Sequence, residues 1–333
     1  MTSYSELGEK VLGAKGKKLV DACLLVKQLS SSMAYLYFVA TQLDFIICQY
    51  YSQCLGNKVF IVMLIIPVIV LSSAGSYKIL SYLSIPSIFI AVTGMMSIFY
   101  YSSLMLAEGV TSKEPLKYFE LSNTLGRIGL AMYLFDGIIV IVNVSAEAGA
   151  NKARYPSILM KAALFDLILF LLFGSICYYV YREHSQPIFS MSLLPINAIV
   201  FFIFVCVCVN ALTSYPVHII AALNIIEKTY QTYTAQSSLS LLKRVTIRGV
   251  TITVTTLLCM LVPTFTDFIN IAGSVGSMTV VFILPQIFFM NVYGQKMSAL
   301  EKVGCWAIGL FGLFGGSYSI YFSIVKLARK DYT

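Results

Sequence analysis

Lys27, Asp136 and Asp166 each stand deep inside a long apolar stretch of this sequence. A charged side chain in hydrocarbon is costly, so such residues face a cavity, a partner of opposite sign or a passing cargo. At about 1.5 Å per helical residue, Lys27 lies about 12 Å into its stretch and Asp166 about 14 Å into its own. Asp136 is near the middle of a third stretch. One cation and two anions at similar depth suit the binding of a polar solute or a coupling ion. Asp136 is the residue expected to belong to that site, with Lys27 and Asp166 beside it or neutralising it. The same groups would equally serve as a Lys–Asp pair that only holds helices together. Gly137 follows Asp136, and a glycine within a helix lowers its stability by about 1 kcal/mol. A break at that depth exposes backbone amides and carbonyls to a solute.

The elements that carry these residues follow from composition. The chain has 333 residues, 58% hydrophobic and 11% charged, with a mean hydropathy of +0.83. A soluble domain carries about 25% charged residues, so there is too little charge to coat a water-facing surface. A soluble enzyme, a disordered chain and a fibrous repeat are excluded. Nine apolar stretches are long enough to cross a bilayer: 19–47, 59–75, 82–103, 127–146, 157–181, 192–225, 245–262, 268–290 and 303–325. Alternation at strand period is absent, so the spacing predicts an all-α polytopic membrane protein with nine transmembrane helices. The second and seventh stretches are short and the first and sixth long, which predicts tilts or breaks. A polar connector, 104–126, carries Glu108, Glu114 and Glu120 and divides three spans from six. No soluble segment is large enough to stand apart, so residues 1–333 read as a single transmembrane domain.

Backbone weak points recur along the spans. Pro67, Pro86, Pro216 and Pro285 predict kinks, and Ala272–Gly273–Ser274–Val275–Gly276 makes the first half of the eighth span deformable. Gly304, Gly309, Gly312, Gly315 and Gly316 give the last span faces for close helix contact. Asp21, Asp44 and Glu227 lie near span ends, where they are expected to reach water.

An odd number of spans puts the termini on opposite sides. Lys and Arg are more frequent in the loops on the N-terminal side, which predicts a cytosolic N-terminus or its matrix or stromal equivalent. The net charge of +8 thus fixes orientation and implies no nucleic-acid partner. The first 18 residues are polar and do not read as a cleavable signal. Asn143–Val144–Ser145 has the form of a glycosylation sequon but lies within a span, where it reads as chance. Cys206 and Cys208 lack a second ligand pair, and His184 and His218 stand far apart in sequence, so no metal site is expected. Cys48 and Cys54 lie near one membrane face and are close enough to pair. With no GxSxG, P-loop or HExxH, the sequence predicts neither an enzyme nor a cofactor.

The order of segments resembles the amino acid/auxin permease family, which includes vesicular inhibitory, proton-coupled and sodium-coupled amino acid transporters. The likeness runs through SYSELGEKVLGAKGKK at 3–18, SSSMAYLYFVATQL at 30–43, YKILSYLS at 77–84, GLAMYLFDGIIVIVNVSAEA at 129–148 and NALTSYPVHIIAALNIIEK at 210–228. Its most specific part is 243–289, with Pro263, Phe268, Gly273 and Pro285 in the family's places.

That resemblance implies a LeuT-type inverted-repeat fold, partial here because the nine spans are equivalent to helices 3–11 of the family. Residues 1–103 would be an incomplete first repeat of three helices, 127–290 a second repeat of five, and 303–325 the extra C-terminal helix. It further implies a substrate pocket lined by Phe135, Asp136 and Gly137, with Tyr35 and Tyr37 as further candidates, and coupling-ion oxygens on Thr213 and Ser214. The family's first two helices are expected to be lacking, which leaves half of such a site. Two expectations follow. One is a proton- or sodium-coupled amino acid symporter or exchanger surrounded by membrane lipid. The other is a transport-inactive relic that serves as an accessory subunit, with partner membrane subunits or lipids filling its groove.

Overall fold

The apolar stretches become helices whose ends follow local chemistry. The structure, a computed structural model, describes residues 4–51, 53–73, 77–109, 115–117, 119–134, 137, 141, 153–235 and 238–329. In chain order they form α1 (Tyr4–Tyr51), α2 (Asn57–Met63), α3 (Ile65–Ser73), α4 (Tyr77–Ala107), α5 (Leu121–Gly126) and α6 (Ile128–Leu134). There follow α7 (Tyr155–Tyr181), α8 (Ala198–Thr234), α9 (Leu241–Cys259), α10 (Phe265–Ala272), a π-helix (Gly273–Ile283), α11 (Leu284–Tyr293) and α12 (Ala299–Ala328). No strand occurs among the described residues, and the protein is an all-α polytopic membrane protein.

Six helical stretches among the described residues are long and apolar enough to cross a membrane: Tyr4–Tyr51, Ile85–Ala107, Tyr155–His184, Ala198–Thr234, Phe265–Tyr293 and Ala299–Ala328. The other three predicted spans are shorter or interrupted. The stretch 59–75 is divided at Leu64 into α2 and α3. The stretch 127–146 follows a break at Arg127, and most of it beyond Leu134 lies outside the described residues. In α9 the first turns carry Lys243, Arg244 and Arg248, which dilute its apolar run. The long sixth stretch starts later than expected, because Asn197 caps α8 by accepting a hydrogen bond from the Val200 amide at 2.9 Å. At its other end α8 runs on to Thr234.

Two compact units emerge. The first contains residues 1–30, 119–164 and 266–333; the second contains 31–118 and 165–265. In the first unit α12 packs along the π-helix, and α6 packs on the π-helix as well. Its N-terminal segment folds back at Gly13, whose φ of 72° is open to glycine at little steric cost. The fold-back lets Ser5 donate to Asp21. It also buries Tyr4, whose hydroxyl donates to the Val280 carbonyl at 2.9 Å. Glycines of α12 provide the expected close contacts in part. A Cβ on Gly312 would stand 2.4 Å from Phe282, and one on Gly316 2.5 Å from Met278, whereas Gly304 and Gly309 meet nothing within 4 Å.

The second unit is built on α4 against α8, with α9 beside α3 and α8. Its core gathers Ile98, Tyr101, Cys177, Leu193, Val200, Ile203 and Phe204.

Candidate functional site

The segment singled out by Asp136 begins where α6 stops. Phe135 and Asp136 lie outside the described residues; Gly137 is described and lies outside any helix. After it the Ile141 amide donates to the Gly137 carbonyl at 2.9 Å, and the Tyr155 hydroxyl donates to the Ile141 carbonyl at 3.0 Å.

A second interruption precedes this one in the same unit. In a continuous helix the Leu130 amide would donate to the Gly126 carbonyl. Here the Asn270 carboxamide of α10 stands in that rung. Its Oδ1 accepts from the Leu130 amide at 2.8 Å, while its Nδ2 donates to the Gly126 carbonyl at 2.7 Å. Nδ2 also reaches Ser323 Oγ at 2.8 Å. From α12, Ser319 Oγ accepts from the Gly129 amide at 3.0 Å and lies 2.7 Å from the Gly126 carbonyl and 2.9 Å from Asn270 Oδ1. Its single proton therefore goes to one of those two oxygens. Asn270 and Ser319 are both 0% exposed. In lipid no water can replace such partners, so the backbone break persists only because these side chains complete it.

Close backbone approach makes the arrangement possible. A Cβ on Gly273 would fall 2.0 Å from the Gly129 carbonyl oxygen, and one on Gly129 2.0 Å from Ser274 Oγ. At the outer edge of the cluster Arg127 Nη1 lies 3.4 Å from Asp267 Oδ1, and its guanidinium carbon is 5.9 Å from the Phe322 ring centroid. The π-helix starts immediately after Ala272, where the sequence is richest in small residues. π-Helices are rare and mostly single-turn bulges at functional sites; this one runs over 11 residues.

The second unit holds a different polar cluster. Ser87 of α4 lies 2.8 Å from Asn210 Oδ1 and 2.6 Å from Thr213 Oγ1 on α8. Thr213 Oγ1 also reaches the Val209 and Asn210 carbonyls at 2.9 Å, and Ser214 donates to the Asn210 carbonyl at 2.8 Å. Tyr35 of α1 comes beside Ser214, and its ring lies 5.3 Å from that of His218. Tyr35, Thr213 and Ser214 are thus brought together, as one neighbourhood of neutral oxygens. Tyr37, two residues on, points elsewhere and stacks on Phe265 at 5.9 Å. A concavity of about 510 Å³ opens in this unit beside Gln49, Tyr50 and Leu194–Pro195–Ile196, and none of the cluster residues lines it.

Lys27 is 5% exposed. Its Cβ and Cγ lie 3.0 and 3.1 Å from the point where a Cβ on Gly276 would sit, so glycine there admits the lysine stem. Asp166 is exposed on α7 between exposed Phe165 and Leu167. Lys27 belongs to the first unit and Asp166 to the second. Glu227, expected to reach water, is instead 7% exposed and paired with Arg248 Nε at 2.6 Å and Arg244 Nε at 3.6 Å. The spacing of Arg244 and Arg248 puts both on the face of α9 that meets it. Cys48 and Cys54 are joined as a disulfide.

Arg127, Asp267, Asn270 and Ser319 were not singled out by sequence. Their signal was nevertheless present, as a polar stripe at helical spacing. Asp267, Asn270, Ser274 and Ser277 recur every three or four residues, and so do Gly312, Gly316, Ser319 and Ser323. Isolated hydroxyls and amides carry little hydropathy penalty, so Asn270 and Ser319 escape a search for buried charge, while Arg127 and Asp267 stand at the edges of their apolar stretches.

Comparison with known proteins accounts for a fold of this type. The family described as transmembrane amino acid transporter protein matches residues 1–325. Amino acid transporter AVT3A of Arabidopsis thaliana is 25% identical over 94% of this chain and 71% of its own length. Amino acid transporter ANT1 of the same plant is 24% identical over 97% and 77%. Vacuolar amino acid transporter 4 of Saccharomyces cerevisiae is 22% identical over 69% of this chain and 33% of its own. With a match spanning nearly all of its residues and a many-helix apolar fold, the chain belongs to the transmembrane amino acid transporter family, a family of transporters and not of enzymes.

Proposed function

We propose that the protein carries an amino acid across a membrane, binding it where the chain leaves α6 and passes through Phe135, Asp136 and Gly137. The observation behind this reading is that Gly137, three residues after the last described residue of α6, lies outside any helix, and its sequence neighbour bears a carboxylate. A free amino acid presents an ammonium and a carboxylate. The Asp136 side chain suits the first, and amides released from a helix suit the second. The relatives' names, amino acid transporters in a plant and a yeast, support the substrate class.

Transport is driven by a proton or sodium gradient in this reading. The oxygens of Ser87, Asn210, Thr213 and Ser214 are hard, neutral ligands of the kind that suits sodium, while a proton would reside on Asp136. Residues 1–103 and 127–290 act as inverted repeats of the LeuT type, and the N-terminus is cytosolic. The Cys48–Cys54 disulfide supports that orientation, since it closes the end of α1 away from the N-terminus and disulfides persist in oxidising compartments.

The test is uptake of radiolabelled amino acids into proteoliposomes under imposed sodium and pH gradients, applied one at a time. Accumulation above empty vesicles is expected, reduced tenfold or more by Asp136→Asn. A purified, folded protein that accumulates no amino acid under either gradient would remove the proposal.

A further inference from the structure

Resting on that transport reading, we propose that Asn270 is a positioning residue. It holds open the Gly126–Leu130 rung, and its withdrawal lets that rung close, so that it sets the direction in which α6 leaves α5. The argument is one of hydrogen-bond valence. The Gly126 carbonyl and the Leu130 amide are each other's natural partners at a spacing of four residues. Asn270 meets both with one planar carboxamide, donating to the first at 2.7 Å and accepting from the second at 2.8 Å. Either arrangement satisfies both backbone groups, the inserted one and the closed one. The helix therefore has two states, in which no buried polar group of the rung is left without a partner.

Neighbouring groups bias the inserted state. Ser319 takes the Gly129 amide, which a straight helix would direct to the Leu125 carbonyl. The contacts of Gly129 and Gly273 bring the two backbones close enough for an asparagine to reach across. The Leu130 amide also makes a longer bond to the carbonyl three residues back, 3.1 Å to Arg127. A side chain inserted into the helix ladder is a recognised cause of a sharp bend. Here the insertion lies at the junction of α5 and α6, where Arg127 interrupts the helix.

The experiment pairs spin labels at Leu134→Cys and Leu313→Cys, two exposed positions on α6 and α12 of the same unit. Asn270→Ala removes the inserted amide but leaves the rung free to close. The distance distribution is expected to shift to a new single maximum. Uptake is expected to lose tenfold or more in maximal rate while KM changes less than threefold. Ser319→Ala, which keeps the Asn270 bonds to Gly126 and Leu130, is expected to populate both distances and to retain intermediate uptake. It also serves if Asn270→Ala does not fold. An unchanged distance distribution in the folded variants overturns the proposal, as does a loss of uptake confined to KM. The label distances need no transport, so a protein that transports nothing would defeat the transport reading while leaving the two-state rung tested.

Discussion

Two asparagines, one in each unit, do opposite things with the same carboxamide. Asn270 is 0% exposed and spends both ends on backbone groups of another helix. Asn210 is half-buried, and its Oδ1 accepts from the Ser87 hydroxyl, within a cluster whose hydroxyls also bond their own helix carbonyls. The first arrangement repairs a broken backbone. The second joins side chains to one another, and in the proposed coupling role its oxygens would turn toward a cation without breaking a helix. Buried polar atoms at membrane depth thus divide by what they satisfy. Those that complete main-chain valence carry the fold, and those that bond other side chains have capacity to spare.

The largest expected effect tests the close crossing in the first unit. In Gly273→Ala the new methyl would stand 2.0 Å from the Gly129 oxygen, a backbone atom that cannot swing aside. Loss of monodisperse protein on size-exclusion chromatography is expected, with a cost of more than about 4 kcal/mol. Next comes Asn270→Leu, which keeps the volume that blocks the rung while removing both hydrogen bonds. A cost of about 3 kcal/mol is expected from the orphaned backbone groups, seen as a lower melting temperature in detergent. Ser319→Ala is expected to cost about 1 kcal/mol, the scale of one interhelical hydrogen bond in a membrane.

Thr213→Val should change stability by no more than about 0.6 kcal/mol. Its consequence is functional, with gradient-driven uptake expected to fall about tenfold and the dependence on sodium or pH to flatten. If Thr213→Val destabilised the protein as much as Asn270→Leu, the division between the two clusters would be wrong. Gly304→Ala closes the series, since nothing lies within 4 Å of it. A change within about 0.5 kcal/mol is expected; a large loss there would mean that the free face of α12 is covered in the membrane.

Much of this architecture was legible in the residues. Low charge and long apolar runs dictate membrane helices, because backbone polar groups in lipid must be satisfied within their own segment. The soft Ala272–Gly276 stretch marks where the π-helix starts, and Cys48 and Cys54 are joined as their spacing allows. Thr213 and Ser214 lie beside Tyr35, although the resemblance assigned them to different roles, ion and substrate. Glu227 was misread, because proximity to a span end says nothing about the two arginines that a following helix brings to it. The polar stripes of α10 and α12 were visible as spacing, yet which backbone they would repair was not.

What the sequence determined by itself is the environment: hydrocarbon around the chain, helices across it, and weak points where glycine and proline interrupt them. Only tertiary structure decided which interruption is repaired and by what. Asn270 and Gly126 are 144 residues apart in sequence. Periodicity reports which face a residue occupies, because it repeats along one helix. The partner on another helix is chosen by the close approach of two backbones, which depends on the packing of the whole unit.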